Sequence, residues 1–173
     1  MADRVRLKIQ RQDGPEESTR WESFELELEP LMNVISCLQK IQRNPVTSNG
    51  KEVAPVAWEC SCLEEICGAC TMIINGEVRQ ACSALVEELS QPIEIKPMSK
   101  FPVIRDLVVD RRAMFEAIKQ VRAWVDIDGT HDLGFGPRQA ADDQEVSYPL
   151  SKCMTCGCCV EACPNYNSRS PFI

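Results

Sequence analysis

The chain has 173 residues, 44% of them hydrophobic, and a formal net charge of −7, so it is long enough for one large domain or two small ones. Its 19 basic residues form no dense stripe, and we therefore expect no nucleic-acid partner. The N-terminus has no apolar stretch typical of a secretory signal, and no run approaches the roughly 18 apolar residues of a membrane helix. The 11 cysteines accordingly indicate metal or redox chemistry rather than a disulfide framework.

The N-terminal part of the chain predicts two strands followed by a helix. Apolar and polar residues alternate over residues 5–9 and again over residues 24–28, which is typical of two half-buried strands that pair as a hairpin. A helix is expected to begin at Pro30, because apolar residues then recur at helical spacing as far as Ile41. Cys37 lies in this helix, and we interpret it as a small buried apolar residue rather than a ligand.

The first cysteine run extends from Cys62 to Cys82. Cys62, Cys67 and Cys70 follow a C-x4-C-x2-C pattern, and Cys82 comes after 11 further residues. This is the plant-type spacing for a [2Fe–2S] cluster, and we expect the loop to wrap the cluster with its backbone N–H groups pointing inward. Gly68 lies where the backbone has to approach closely. A four-cysteine zinc site and disulfides are the alternatives, but zinc usually takes two short cysteine pairs joined by about 15–20 residues.

A hairpin is predicted inside this run. Asn75-Gly76 between apolar residues is the strongest short hairpin signal, and the hairpin would carry Cys82 back beside Cys70. Residues 93–95 predict a last short strand. Together with the N-terminal elements, this pattern predicts a mixed sheet with one helix across it.

The pattern becomes helical near residues 100–112. Asp110 can cap a helix, and we expect its apolar residues to share one face. These residues are Met114, Ile118, Val121 and Val125. Residues 128–137 predict a long loop, in which we interpret His131 as a surface residue rather than a metal ligand, and residues 140–145 are expected to be polar and exposed.

The second cysteine run, residues 153–164, follows the pattern C-x2-C-x2-C-x3-C-P of bacterial ferredoxins. In that pattern the fourth cysteine ligates a different cluster from the first three. A helical turn between Cys159 and Cys163 is therefore expected to point Cys163 away from the cluster of the first three cysteines. Cys158 is out of register, and we interpret it as a packing residue. The candidate ligands are Cys153, Cys156, Cys159 and Cys163, followed by Pro164. Three thiolates leave a [4Fe–4S] cluster one ligand short, and Cys163 alone cannot hold a second cluster.

A plant-type run followed by a bacterial-ferredoxin run resembles the iron–sulfur subunit of succinate dehydrogenase and fumarate reductase. The resemblance spans nearly the whole chain and is carried by residues 62–70, 74–76, 101–111 and 151–157. It implies an α+β protein with an N-terminal β-grasp plant-type ferredoxin domain over residues 1–106. An α-helical bacterial-ferredoxin-like domain would follow over residues 107–173.

The resemblance also implies a ligand set. Cys62, Cys67, Cys70 and Cys82 would hold a [2Fe–2S] cluster. Cys153, Cys156 and Cys159 would be three of the four ligands of a [4Fe–4S] cluster. Cys163 would be one of three ligands of a [3Fe–4S] cluster, with Pro164 near the quinone.

The partners that the resemblance implies are an FAD-containing flavoprotein subunit and a membrane-anchor subunit of the cytochrome b type. Electrons would pass between the FAD and a membrane quinone through the three clusters. The motif sequences are more similar to those of the menaquinone-linked bacterial type than to those of the ubiquinone-linked type, so menaquinone is the expected quinone. The chain would then be peripheral, on the cytoplasmic face of the inner membrane.

The sequence departs from this family by ending before the family's next cysteine run, so we expect the helical domain to be incomplete and the chain to be a fragment. Three other functions are compatible with the same motifs. They are a stand-alone two-domain ferredoxin, the iron–sulfur subunit of another flavoenzyme such as a thiol-linked fumarate reductase, and a zinc-stabilised interaction module.

Overall fold

The computed structural model describes residues 4–124, 138–167 and 169–170. The chain divides into two compact units, here called the first unit (residues 1–111 with 156–173) and the second unit (residues 112–155). The domain division expected from the motifs, at residues 106 and 107, stays a prediction. The described residues contain both sheet and helix, so the α+β fold class is confirmed.

The first unit is built on a five-stranded mixed sheet. Its strands are β1 (Arg4–Arg11), β2 (Arg20–Glu27), β3 (Thr71–Ile74), β4 (Glu77–Gln80) and β5 (Ile93–Lys96). Their order across the sheet is β2-β1-β5-β3-β4. Strands β1 and β5 are parallel, whereas the other neighbouring pairs are antiparallel. The parallel pair needs a long crossover, and the intervening chain supplies the helix and the cysteine loop.

Both predicted hairpins are confirmed. In β1 and β2 the buried side chains alternate with exposed ones, and Leu7 pairs with Phe24 on the core face. Strands β3 and β4 are joined at Asn75 and Gly76, whose φ angles of +50° and +88° are both left-handed. Such a two-residue turn suits Asn-Gly and matches the twist of the flanking strands.

Helix α1 (Val34–Arg43) packs its apolar face into the core of the first unit. It begins later than expected, because Leu31 takes a left-handed φ of +59° and the Met32 N–H bonds to the Glu29 carbonyl in a turn. Asn33 is the cap, and its Oδ1 accepts from the Ser36 N–H at 2.9 Å. Cys37 is fully buried, as expected, and burial raises the pKa of its thiol to about 12.

A short 3₁₀ helix (Val86–Glu88) precedes β5, and a third hairpin, made of β6 (Val103–Arg105) and β7 (Val108–Val109), follows it. Asp106 in its turn is fully buried and forms an ion pair with Arg11, in which Nε donates to Oδ1 at 2.9 Å. The Asp106 carboxylate also accepts from the backbone N–H of Gln12 at 3.0 Å and of Ala57 at 2.8 Å. This carboxylate thus joins the end of β1 to the segment that leads into the first cysteine run.

The second unit contains helices α2 (Arg112–Gln120) and α3 (Ala141–Ser151). Met114 is buried, as expected, but α2 ends at Gln120 and leaves Val121 exposed. Residues 140–145 are exposed as predicted, except the half-buried Gln144. Most of them belong to α3, whose first turn holds Asp142 and Asp143, where carboxylates are favourable. Val125 and His131 lie outside the described residues. Within the described ranges, no helix is long and apolar enough to cross a membrane.

Candidate metal centre

The loop from Cys62 to Cys70 folds its backbone amides onto the cysteine sulfurs. The Cys62 Sγ accepts from the N–H groups of Glu64 at 3.4 Å, Ile66 at 3.3 Å and Cys67 at 3.3 Å. The inward amides expected from the spacing are therefore present. They converge on one sulfur as a nest of N–H groups does on an anion.

Left-handed backbone conformations make this wrapping possible. Leu63 and Glu65 have φ angles of +61° and +60°, and Gly68 has +67°. Each left-handed residue bends the chain locally. Two of the three, Leu63 and Glu65, carry a side chain that disfavours a positive φ. The loop is thus held in an arrangement that its own sequence does not favour, which is typical of a functional site.

The amides favour the charged form of Cys62. Hydrogen bonds from the Glu64, Ile66 and Cys67 N–H groups lower the pKa of its thiol to about 7. Burial has the opposite effect on Cys70 and raises the pKa of that thiol to about 11. Because thiolates are the metal-binding form, a bound cation would favour the ionised form of Cys70.

The hairpin of β3 and β4 returns Cys82 to the loop, as the sequence predicts. The Ala81 N–H donates to the Cys70 carbonyl at 3.1 Å, and the thiols of Cys70 and Cys82 are close enough to hydrogen-bond. The Asn33 Nδ2 donates to the Cys82 carbonyl at 3.0 Å, so the start of α1 also holds this strand end. Cys62 and Cys67 form a second close pair of thiols.

The four thiols of the first run form two close pairs. Across the part of the chain that the structure describes, no group of three or more His, Cys, Asp or Glu side chains is placed to hold one metal ion. Thiolates are soft ligands that suit iron–sulfur clusters, and a [2Fe–2S] cluster takes four of them. Cys60 is exposed as a residue. Partial burial of its thiol is the main cause that raises the pKa of this group, and the nearby thiols of Cys67, Cys82 and Cys62 add to the effect.

The second cysteine run forms a short helix. Gly157 has a left-handed φ of +83° and precedes helix α4 (Cys158–Ala162), after which Cys163 leaves the helix with an extended backbone. The predicted helical turn before Cys163 is therefore confirmed. Cys156, Cys159 and Cys163 belong to the first unit, and Cys153 belongs to the second.

Cys158 contacts the sheet as a packing residue would. Gln80 of β4 donates from Nε2 to its Sγ at 3.4 Å. Burial raises the pKa of the Cys158 thiol to about 11.

The second run lies directly against the first within the first unit. A Cβ on Gly68 would lie 2.6 Å from the Cys156 Cα, so glycine is required there by a protein contact. Ser99 Oγ and the Lys100 N–H donate to the Glu161 carboxylate at 2.5 Å and 3.1 Å, and Lys100 Nζ donates to the Cys163 carbonyl. These contacts hold α4 in place and bring the two cysteine runs together.

Arg111 is among the residues in this region that the sequence did not indicate. Arg111 donates from Nη1 to the Gly68 carbonyl at 2.9 Å, and its Nη2 lies 3.7 Å from Glu59 Oε2. No periodicity or spacing links position 111 to the cysteine loop, because the contact depends on the β6–β7 hairpin that brings Arg111 there.

Comparisons with known proteins agree with this geometry. Residues 6–116 match the family of 2Fe-2S iron-sulfur cluster binding domains. The chain is 54% identical over 169 residues to the succinate dehydrogenase iron-sulfur subunit of Bacillus subtilis (strain 168), covering 98% of this chain and 67% of the relative. It is 27% identical over 178 residues to the fumarate reductase iron-sulfur subunit of Escherichia coli O6:H1, covering 100% of this chain and 69% of that relative.

A solved structure shares the fold. A chain of the Mycobacterium smegmatis Sdh1 complex in the apo form matches with a TM-score of 0.71 and 21% sequence identity, over 95% of this chain and 65% of that chain. The present chain thus spans about two thirds of the length of these three proteins.

Proposed function

Because this chain belongs to the family of succinate dehydrogenase and fumarate reductase iron–sulfur subunits, we propose that it relays electrons between a flavoprotein subunit and a membrane quinone. Its role in the complex is electron transfer, and the substrate chemistry belongs to the flavoprotein. The observation that carries the proposal is the cysteine loop, in which plant-type spacing coincides with amides folded onto sulfur.

Cys62, Cys67, Cys70 and Cys82 hold a [2Fe–2S] cluster in this proposal. The donor set fits the group, because four thiols form two close pairs and three N–H groups already face the Cys62 sulfur. When bound, the cluster supplies one-electron chemistry. The protein orients the thiolates, compensates their negative charge with backbone amides, and shields the buried Cys70 and Cys82 from water.

The second run continues the relay. Cys153, Cys156 and Cys159 are assigned to a [4Fe–4S] cluster and Cys163 to a [3Fe–4S] cluster, with Pro164 near the quinone. The direct contact between Gly68 and Cys156 supports this order, because electron transfer needs closely spaced centres. Both of these clusters need more ligands than the four thiols of this run supply.

The partners follow from the same proposal. An FAD-containing flavoprotein docks near the first run, where Leu63 and Ile66 are 50% and 63% exposed on the cluster loop itself. A membrane anchor of the cytochrome b type binds on the side of the second run and provides the quinone site. We assign menaquinone as the quinone and the cytoplasmic face of the inner membrane as the location.

The ligand assignment is tested by two single variants. Cys67→Ala should abolish the EPR signal of the reduced [2Fe–2S] cluster and destabilise the first unit, because cluster binding and folding are coupled. Cys60→Ala is the matched control and should keep the signal, since Cys60 lies outside the spacing. Loss of the signal in Cys60→Ala with retention in Cys62→Ala would show that the ligand register is wrong.

Co-purification tests the choice between a complex subunit and a stand-alone ferredoxin. The chain expressed in cells with its genomic neighbours should purify with an FAD protein and a membrane protein. A chain that purifies alone, with an intact two-iron signal, would favour the stand-alone carrier.

A further inference from the structure

Arg111 places a cation against the backbone of the loop that carries the first cysteine run. Its Nη1 donates to the Gly68 carbonyl at 2.9 Å, and Gly68 follows Cys67 directly. The Arg111 side chain is 12% exposed, so its guanidinium is held in place and largely removed from water. Arginine stays protonated at every physiological pH, so this charge is permanent.

We propose that Arg111 raises the reduction potential of the [2Fe–2S] cluster, an inference that rests on the ligand assignment given above. Reduction adds one negative charge to a cluster. A fixed positive charge nearby stabilises the reduced form more than the oxidised form. The interaction is weakly screened, because the guanidinium lies mostly outside bulk solvent.

Glu59 provides a charge of opposite sign at the same place. Its Oε2 lies 3.7 Å from the Arg111 Nη2, and its side chain is 51% exposed. Solvent screens the exposed carboxylate more strongly than the nearly buried guanidinium. Within this pair the Arg111 charge therefore acts more strongly on the loop than the Glu59 charge. Removal of Arg111 should lower the potential, and removal of Glu59 should raise it by a smaller amount.

The second effect of Arg111 is positional. Its planar fork reaches the Gly68 carbonyl and the Glu59 carboxylate together, so it fixes the turn in which Gly68 contacts Cys156. Arg111→Lys keeps the charge and loses the fork. A comparison of Arg111→Lys with Arg111→Gln therefore separates charge from positioning.

The test is a potentiometric EPR titration of the wild-type chain after anaerobic reconstitution and of four variants. Arg111→Gln should lower the potential so that the reduced-to-oxidised ratio at a fixed ambient potential falls about tenfold, which is about 59 mV for one electron. Glu59→Gln should raise the potential, and Arg111→Lys should retain most of the wild-type value.

Arg43→Gln is the charge-matched control. Arg43 ends α1, whose other end contacts Cys82 through Asn33, so the helix of 10 residues separates Arg43 from the cysteine by about 15 Å. This exposed charge should leave the potential unchanged.

Equal potentials in wild type and Arg111→Gln, both with two irons per chain, would overturn the role of Arg111 and leave the ligand assignment intact. If Arg111→Gln loses its iron, the Glu59→Gln titration decides, and an unchanged or lowered potential there overturns the proposal. A wild-type chain without a two-iron signal would instead overturn the ligand assignment, and the role of Arg111 with it.

Discussion

Gly68 shows how a single residue joins the two cysteine runs. Its left-handed backbone turns the loop, and its missing side chain admits the Cys156 backbone. The sequence predicts a close approach at this position but assigns it to the cluster. The partner is a residue 88 positions away, which no local pattern could indicate.

A substitution at Gly68 should therefore lower the free energy of unfolding more than a substitution at a glycine that has a similar φ but open surroundings. Gly68→Ala and Gly76→Ala both place a side chain at positive φ, which costs about 1–2 kcal/mol. Gly68→Ala adds a clash with Cys156, which we expect to cost a further ~1–3 kcal/mol, whereas Gly76 has nothing within 4 Å of the new Cβ. Urea unfolding of both variants measures the difference, and equal losses would contradict the contact.

Asp106 is the second residue whose role depends on distant partners. Its buried carboxylate holds Arg11, Gln12 and Ala57 at once. Asp106→Ala should lower the free energy of unfolding by about 1–3 kcal/mol, because it removes the acceptor of two backbone N–H groups and one of the two carboxylates that pair with Arg11, the other being Glu22.

The control for Asp106 is Asp13, an exposed carboxylate that pairs with Arg20. The hydrogen bond from Arg20 lowers the pKa of Asp13 in the folded chain. The contribution of this ion pair to stability is therefore present above the pKa that Asp13 has in the unfolded chain, and it is lost as the pH falls through the lower folded-state pKa. Chemical denaturation at neutral pH should show a smaller loss for Asp13→Ala than for Asp106→Ala. The reverse order would show that the buried pair is not the stronger link.

At the scale of elements, the sheet and α1 act as a frame for the cysteines. Strands β3 and β4 carry Cys82, and the start of α1 holds the same strand end through Asn33. Asn33 has two separate functions, since its Oδ1 caps the helix and its Nδ2 donates to the Cys82 carbonyl. The two functions can be separated by substitution.

Asn33→Ala loses both functions, whereas Asn33→Asp keeps the capping oxygen and loses the donor. We expect Asn33→Ala to lower the free energy of unfolding by about 0.5–2 kcal/mol and Asn33→Asp to lower it less. Both should release iron to a chelator faster than wild type, as followed by loss of visible absorbance. Wild-type release rates in both variants would show that the Asn33 contact does not hold Cys82.

The elements were predictable where local chemistry decides the structure. Alternation gave the strands, and Asn75-Gly76 gave the turn, because both depend on neighbouring residues. The predicted start of α1 at Pro30 was wrong, because the left-handed backbone of Leu31 cannot belong to an α-helix. Helix α3 was not predicted, because its residues form no apolar stripe. None of its described residues is buried.

At the level of the whole molecule, the first unit holds all four thiols proposed as [2Fe–2S] ligands and three of the four candidate ligands of the second run. Cys62, Cys67, Cys70 and Cys82 come together there, and the second run packs beside them. The sequence identified both runs through their spacing. It could not indicate that Lys100 holds the second run through Glu161 and Cys163, or that Arg111 holds the first run at Gly68, because these contacts arise from tertiary packing.

This difference between the runs predicts the iron content of the 173-residue chain. After anaerobic reconstitution we expect about two irons per chain, all in the [2Fe–2S] site, because three thiolates leave a [4Fe–4S] cluster with an open iron. Iron and acid-labile sulfide analysis measures this content. A stable cluster of four irons in addition would assign Cys163 as its fourth ligand and would favour the stand-alone ferredoxin.

A redox titration of the [2Fe–2S] cluster decides whether the first run serves a relay between a flavoprotein and a quinone. A plant-type ferredoxin potential near roughly −400 mV is too low for efficient exchange with succinate, since each ~59 mV gap costs tenfold in equilibrium for one electron. We expect a potential well above roughly −400 mV in the assembled complex. A value at the ferredoxin level would rule out the relay and favour a stand-alone carrier.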